Sequence, residues 1–268
     1  MARTALKNIF NLLDTAKAEL PPEQSFLNDL RRSIELTDEK NSDPGSKAYK
    51  PSGMNCMRQS FYVITGAAPD PANSNSNLVG ICESGSDRHE RIQDAVLHMK
   101  DNDMDCEYVN VADFVKQREL KYLKIVKRPN FKAGRYETKL YHKTLNMSFL
   151  CDGIIRYKNH YYILEIKTES SNKFFMRKGV DPSHYNQATA YSMAFGINEV
   201  IFLYESRDTL DKKAFLFNVT DEMRMNLLGY IEECDRYIKA MKVPEKPVNV
   251  MTKTCNYCKY KNQCRKDG

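Results

Sequence analysis

Between Tyr122 and Thr168 the chain leaves helical spacing for alternating apolar and polar residues, and this block limits the fold more than any other feature. Candidate strands fall at Tyr122–Lys127, Tyr136–His142, Ser148–Tyr157 and Tyr161–Thr168. Lys158-Asn159-His160 is a turn that folds the last pair into a hairpin. Helical spacing precedes the block at residues 4–20 and 22–36, where Phe26, Leu30 and Ile34 share a face, then in a short helix carrying Cys56 and Phe61 and a longer one from Leu78 to Met99. After it, Pro182 opens a helix to Phe195, Val200–Tyr204 and Ala214–Val219 are strands, and Asp221–Met241 is a helix. The expected class is α/β (α+β), a mixed β-sheet flanked by helices. Residues 1–54 form an N-terminal helical region, 55–243 a core with a helical insertion, and 244–268 a cysteine-bearing C-terminal segment.

The chain of 268 residues, 41% of them hydrophobic, is large enough for a buried core. Lys and Arg exceed Asp and Glu by 41 to 35, a balance that favours a polyanionic partner. No segment approaches the roughly 20 apolar residues of a membrane span, and the amino terminus lacks a secretory signal. A soluble, cytoplasmic protein is expected. Eight cysteines are too sparse for a disulfide scaffold, so metal ligation is the better use of a cysteine cluster.

Alternation along a strand projects Glu165 and Lys167 from one face and turns Leu164 and Ile166 to the other. Asp152 lies on the preceding strand, and a tight hairpin can bring its carboxylate near Glu165. Two hard oxygen ligands suit Mg²⁺ or Mn²⁺, and an adjacent lysine suits charge stabilisation in phosphodiester hydrolysis. Cys255, Cys258 and Cys264 form C-x2-C-x5-C, whose close thiolates can converge on one metal with a fourth ligand from elsewhere. Such a site can hold zinc or an iron-sulfur cluster. Cys82, Cys106, Cys151 and Cys234 lack that spacing and are assigned no ligand role.

Asp152, Glu165 and Lys167, followed by Gln187-Ala188-Thr189-Ala190-Tyr191, resemble the PD-(D/E)XK nuclease superfamily and its RecB-like branch, with its D, E-x-K and Q-x-x-x-Y motifs in order. The resemblance implies a restriction-endonuclease-like core in which Lys167, Glu165, Asp152, Gln187 and Tyr191 form the catalytic set. It also implies that His89, within Ser86-Asp87-Arg88-His89-Glu90, joins Asp152 and Glu165 at Mg²⁺ or Mn²⁺. The Ile166 backbone carbonyl and Glu137 are further candidate ligands. Cys56-Met57-Arg58-Gln59-Ser60-Phe61-Tyr62 resembles the C-x-R-x-x-x-Y segment of the branch's iron-sulfur nucleases, including AddB-type proteins and CRISPR-associated nucleases of the Cas-four type. By that resemblance Cys56 completes a 4Fe-4S site with Cys255, Cys258 and Cys264, the alternative being Zn²⁺. One remote ligand with three clustered ones fits the iron-sulfur proteins better than paired zinc knuckles.

The resulting expectation is a metal-dependent DNA exonuclease acting on single-stranded DNA or DNA ends, in replication, recombination or repair, in a bacterial, archaeal or phage-infected cell. A nuclease that processes CRISPR spacers with integrase partners is an alternative, as is a non-catalytic DNA-binding or assembly module. The resemblance also allows a homo-oligomer. No G-x-x-x-x-G-K-[ST] phosphate loop is present, so unwinding would need another protein. Arg58, Lys173, Arg177 and Lys178 are candidate DNA contacts, and 169–181 is a candidate substrate-facing loop because it follows Lys167.

Overall fold

The computed structural model describes residues 21–41, 47–70, 76–247, 255 and 258–268. The helix expected over 4–20 lies outside the described residues. By its contacts the chain divides into one unit of Met1–Asp43 with Asn73–Cys82, and a second of Pro44–Ala72 with Glu83–Gly268. In the first unit, α1 (Pro22–Asn41) begins on a proline, whose fixed φ suits the first helical turn. Phe26 and Leu30, expected on its apolar face, are exposed.

In the second unit, α2 (Met57–Thr65) starts directly after Cys56, which caps it in an extended conformation, and stops at Gly66. The φ of Gly66, +73°, is a left-handed value that a Cβ would disfavour. Helix α3 (Ser76–Leu97) belongs to the first unit up to Cys82 and to the second from Glu83, and its later turns bury Ile92 and Gln93. Strand β1 (Cys106–Val109) leads into α4 (Val111–Gln117), capped by Asn110, whose side chain accepts from the Ala112 and Asp113 amides. Next come β2 (Leu123–Lys127), β3 (Thr138–His142), β4 (Met147–Cys151), β5 (Gly153–Tyr157) and β6 (His160–Glu169). Then follow α5 (Ser171–Met176), α6 (Tyr185–Phe195), β7 (Glu199–Ser206), β8 (Lys212–Asn218), α7 (Asp221–Lys239) and α8 (Lys261–Lys266).

Two sheets result, one of five strands in the order β1-β5-β6-β7-β8 and one of three in the order β2-β3-β4. Only β6 and β7 pair in parallel, so the larger sheet is mixed. A parallel neighbour needs a long crossover, and α5 and α6 supply it. Alternation along β6 splits the core between two faces. Ile163 packs in the cluster that holds Ala188, Ala194, Leu227 and Ile231, whereas Leu164 and Ile166 pack with Ile92 and Tyr108. The expected β5–β6 hairpin forms with Lys158 and Asn159 at φ +47° and +65°, as a two-residue turn with both central residues left-handed requires. Among the described residues no helix is long and apolar enough to cross a membrane.

One departure from the sequence reading matters for the site. The single strand expected over Ser148–Tyr157 is broken at Asp152 into β4 and β5, which belong to different sheets. The Asp152 carbonyl is taken by side chains instead, accepting from Gln93 Nε2 at 2.6 Å and from the Tyr108 hydroxyl at 2.5 Å.

Candidate active site

The break between the sheets sets Asp152 at their junction, almost fully buried. Its Oδ2 accepts from the Ile166 amide at 2.7 Å, which ties it to the strand carrying Glu165 and Lys167. From α3, His89 brings Nδ1 to 3.4 Å from Asp152 Oδ1 and 3.8 Å from Glu137 Oε1. Two arginines flanking His89 pin this part of α3 to the larger sheet. Arg91 donates to both oxygens of the fully buried Glu205 on β7 at 2.6 and 2.7 Å, and Arg88 approaches the same carboxylate at 3.5 Å.

Glu165 and Lys167 project from β6 onto α6. Lys167 Nζ donates to Glu165 Oε1 at 2.6 Å and to Gln187 Oε1 at 3.0 Å. Gln187 Nε2 donates to the same Glu165 oxygen at 2.7 Å and to the Tyr191 hydroxyl at 2.9 Å. The Tyr191 hydroxyl in turn donates to the Leu150 carbonyl at 2.5 Å. The four-residue spacing of Gln187 and Tyr191 puts both on one helical face, and their relay fixes the lysine beside the carboxylate.

The electrostatics are those of a site crowded with acid. Burial pulls the His89 imidazole down, but hydrogen bonding and charge from Asp152 and then Glu137 overcome this and raise its pKa to about 10. Burial also works against the Asp152 carboxylate, yet His89, Lys167 and the Ile166 amide leave its pKa lowered. Glu165 is pushed up to about 7, chiefly by burial; Lys167 opposes the rise and Asp152 adds to it. The Lys167 ammonium is held charged, its pKa raised by Glu165 and Asp152 against the effect of burial.

A divalent cation fits these residues. His89, Glu137 and Asp152 each offer a ligand atom, all within 4.8 Å of one another. Glu165 Oε2 is buried with no hydrogen-bond partner among the described residues. A buried carboxylate oxygen left unpaired costs on the order of 1–3 kcal/mol or more, and a bound cation would satisfy it.

Of the four cysteines singled out in the sequence, Cys56 precedes α2 and the other three lie in the C-terminal segment. Burial raises the Cys56 and Cys258 thiols, and each is raised further by the charges of Cys255 and Cys264. Among the described residues they do not form a set of three ligand atoms within 4.8 Å. Two expected DNA contacts are engaged in internal bonds. Arg58 is buried, and its guanidinium donates to the Pro244 carbonyl at 2.6 Å, the Cys264 carbonyl at 3.0 Å, Cys264 Sγ at 3.3 Å and the Gly268 carbonyl at 2.8 Å. Arg177 is likewise turned inward, bonded to both Glu169 oxygens at 2.6 and 2.7 Å and lying 4.0 Å over the Tyr204 ring. A cation among aromatic residues, as in Lys173-Phe174-Phe175-Met176-Arg177-Lys178, also describes a buried strut. Lys173 lies 2.9 Å from Asp181 Oδ2, Lys178 is exposed, and part of the expected 169–181 loop is the helix α5.

The sequence reading missed Gln93 and Tyr108, whose hold on the Asp152 carbonyl needs β1 and α3 in place. It also passed over the steric role of Gly153. A Cβ there would lie 2.7 Å from Tyr108 Cε2 and 2.9 Å from its hydroxyl oxygen. Gly153→Ala is expected to push Tyr108 off Asp152 and to cost about 1–3 kcal/mol of stability, as overpacking does. Chemical denaturation measures this, and adding Tyr108→Ala should give a total below the sum of the single losses because the two share one contact. An unchanged denaturation midpoint in Gly153→Ala would contradict the account.

No family model and no curated protein sequence matches the chain. Among solved structures, it is similar to the crystal structure of SSO0001 at a TM-score of 0.43 and 15% identity, over 89% of this chain and 96% of that one. It is also similar to LHK-Exo in complex with dAMP, at a TM-score of 0.42 and 9% identity, over 73% of this chain and 89% of that one.

Proposed function

We propose that the chain is a metal-dependent DNA nuclease of the RecB-like PD-(D/E)XK type, acting as an exonuclease on single strands or strand ends. The observation that carries this reading is the ligand set of His89, Glu137 and Asp152, together with the buried Glu165 carboxylate, one oxygen of which has no hydrogen-bond partner among the described residues while the other accepts from Lys167. His89, Asp152, Glu165 and Glu137 would hold Mg²⁺ or Mn²⁺. When bound, the cation would polarise a phosphate oxygen and favour ionisation of the attacking water. Lys167 has three donor hydrogens; Glu165 and Gln187 take two, and the third is offered to the scissile phosphate or the nucleophile. Gln187 and Tyr191 act as positioning residues that set the direction of the ammonium.

The four cysteines are proposed to hold a 4Fe-4S cluster, with zinc as the alternative. The C-x2-C-x5-C spacing of Cys255, Cys258 and Cys264 supports a shared site, as does the Arg58 bond from α2, which follows Cys56, to Cys264 Sγ. Iron and zinc analysis with visible absorption tests the assignment, and full occupancy by zinc alone would overturn it. The nuclease reading is tested by digesting end-labelled single- and double-stranded DNA with Mg²⁺ or Mn²⁺. Cleavage by the unmodified chain and its loss in Asp152→Asn are expected. A folded protein that cleaves neither substrate would instead favour a binding or assembly module.

A further inference from the structure

The formal charge of the chain is +6, yet it is not spread over the molecule. Residues 121–151 hold eight Lys or Arg against one acid, Glu137, so the rest of the chain carries one more acid than base. This stretch contains the whole three-stranded sheet. Its inner face is apolar: Leu140, Met147, Phe149 and Cys151 are buried in the main core. Strand alternation therefore turns Lys139, Tyr141 and Leu150 to the outer face. The register aligns Lys127 with Lys139, Lys139 with Leu150, and Lys124 with Tyr141. A bulge between Ile125 and Lys127 leaves Val126 half exposed, and Leu150 is 46% exposed.

Two strands of this face lead into the site. Glu137 immediately precedes β3 and Asp152 immediately follows β4. Two residues of strand span about 7 Å, so the row of Lys127, Lys139 and Leu150 lies one step from the carboxylates, and the row of Lys124 and Tyr141 lies the next step out.

We infer that the outer face of this sheet is the track along which one nucleic-acid strand approaches the site, Lys124, Lys127 and Lys139 meeting its phosphates and Tyr141 and Leu150 its bases. The inference rests on the nuclease reading for its direction, since the track ends at the carboxylates. A face combining lysines with an aromatic and an aliphatic side chain suits an unpaired strand, whose bases offer apolar surfaces to stack on. Concentrating the positive charge in residues 121–151 also directs a polyanion to that region in preference to the near-neutral remainder.

The test compares the full chain with the variant Lys124→Ala/Lys127→Ala/Lys139→Ala. Binding of a fluorescein-labelled oligothymidylate of about 30 nucleotides, and of the same length of duplex, is followed by anisotropy in EDTA. The variant is expected to bind the single strand at least about tenfold more weakly, and the log–log salt slope should shrink by roughly 2, as loss of three phosphate contacts predicts. Replacing the same lysines by arginine should restore binding, and Lys116→Ala/Lys239→Ala/Lys242→Ala, on exposed lysines elsewhere, should leave it within twofold. Hydrolysis of bis(p-nitrophenyl) phosphate with Mn²⁺, a diester too small to reach the sheet, should be unchanged in the triple alanine variant.

Binding within twofold of the unmodified chain would overturn the inference. So would failure of the arginine variant to restore binding, an equal loss in the control variant, or preferential binding of duplex. If the chain binds the oligonucleotide through these lysines but cleaves nothing, the nuclease reading fails and the track stands.

Discussion

Lys167→Ala is expected to lower Mg²⁺- or Mn²⁺-dependent DNA cleavage by about 10²–10³-fold, the usual loss when one preorganised donor to developing negative charge is removed. The size follows from the surroundings of the ammonium. It is only partly exposed, bonded at 2.6 Å to Glu165 and at 3.0 Å to Gln187, and set on a central strand. In so enclosed a place water cannot substitute for it. The same change removes the cation that counters burial at Glu165, so the carboxyl pKa, already about 7, moves further up. Cation affinity should therefore fall near neutral pH and recover as the pH is raised, because a ligand carboxyl must give up its proton to bind. Single-turnover cleavage at saturating Mn²⁺, measured across pH beside a Mn²⁺ titration, separates the two effects. Gln187→Ala should produce a smaller loss, since it misdirects the lysine without deleting it. Cleavage by Lys167→Ala within a few-fold of the unmodified chain under these conditions would remove the lysine from the mechanism.

Arg58→Ala is expected to destabilise the protein by about 2–4 kcal/mol, the range for losing several hydrogen bonds from one buried charged group. For a chain of this size that corresponds to a melting temperature lower by roughly 5–15 °C. The guanidinium leaves α2 to reach the carbonyls of Pro244, Cys264 and Gly268, joining segments about 200 residues apart. Its removal strands those acceptors and frees the end of the chain that carries Cys258 and Cys264. Lysine at this position should recover little, because a single ammonium cannot reproduce the planar fork. Thermal melting with limited proteolysis of the C-terminal segment measures the outcome. A melting temperature within about 1 °C of the unmodified chain would show that the segment is held by other contacts.

Legibility in the sequence followed the range of the interactions involved. The β5–β6 hairpin, the 3.6-residue repeat of α7 and the shared face of Gln187 and Tyr191 are set by neighbours within a few positions, and each appears near its expected place. Short elements were missed for the converse reason. The seven-residue α4 and the six-residue α5 and α8 offer less than two turns of repeat, too little to stand out from a loop.

The break at Asp152 is a different case. Ser148–Tyr157 has one strand-like pattern in sequence, and only the arrival of Tyr108 from β1 and Gln93 from α3 gives the Asp152 carbonyl better partners than a continuous ladder. Arg177 shows the same limit: a cation beside an aromatic residue has one signature whether it meets a phosphate in solvent or a carboxylate indoors.

By itself, then, the sequence determined the mixed α/β class, the hairpin that carries Glu165 and Lys167, and the residue types able to bind a divalent cation, because these rest on local periodicity and side-chain chemistry. Tertiary structure alone decided that Asp152 leaves one sheet for the other, that Glu165 keeps an oxygen without a partner among the described residues, and that Lys124, Lys127 and Lys139 share a face of the sheet leading to Asp152. Those outcomes depend on which distant groups compete for each donor, acceptor and solvent-facing surface, and that competition exists only once the chain has folded.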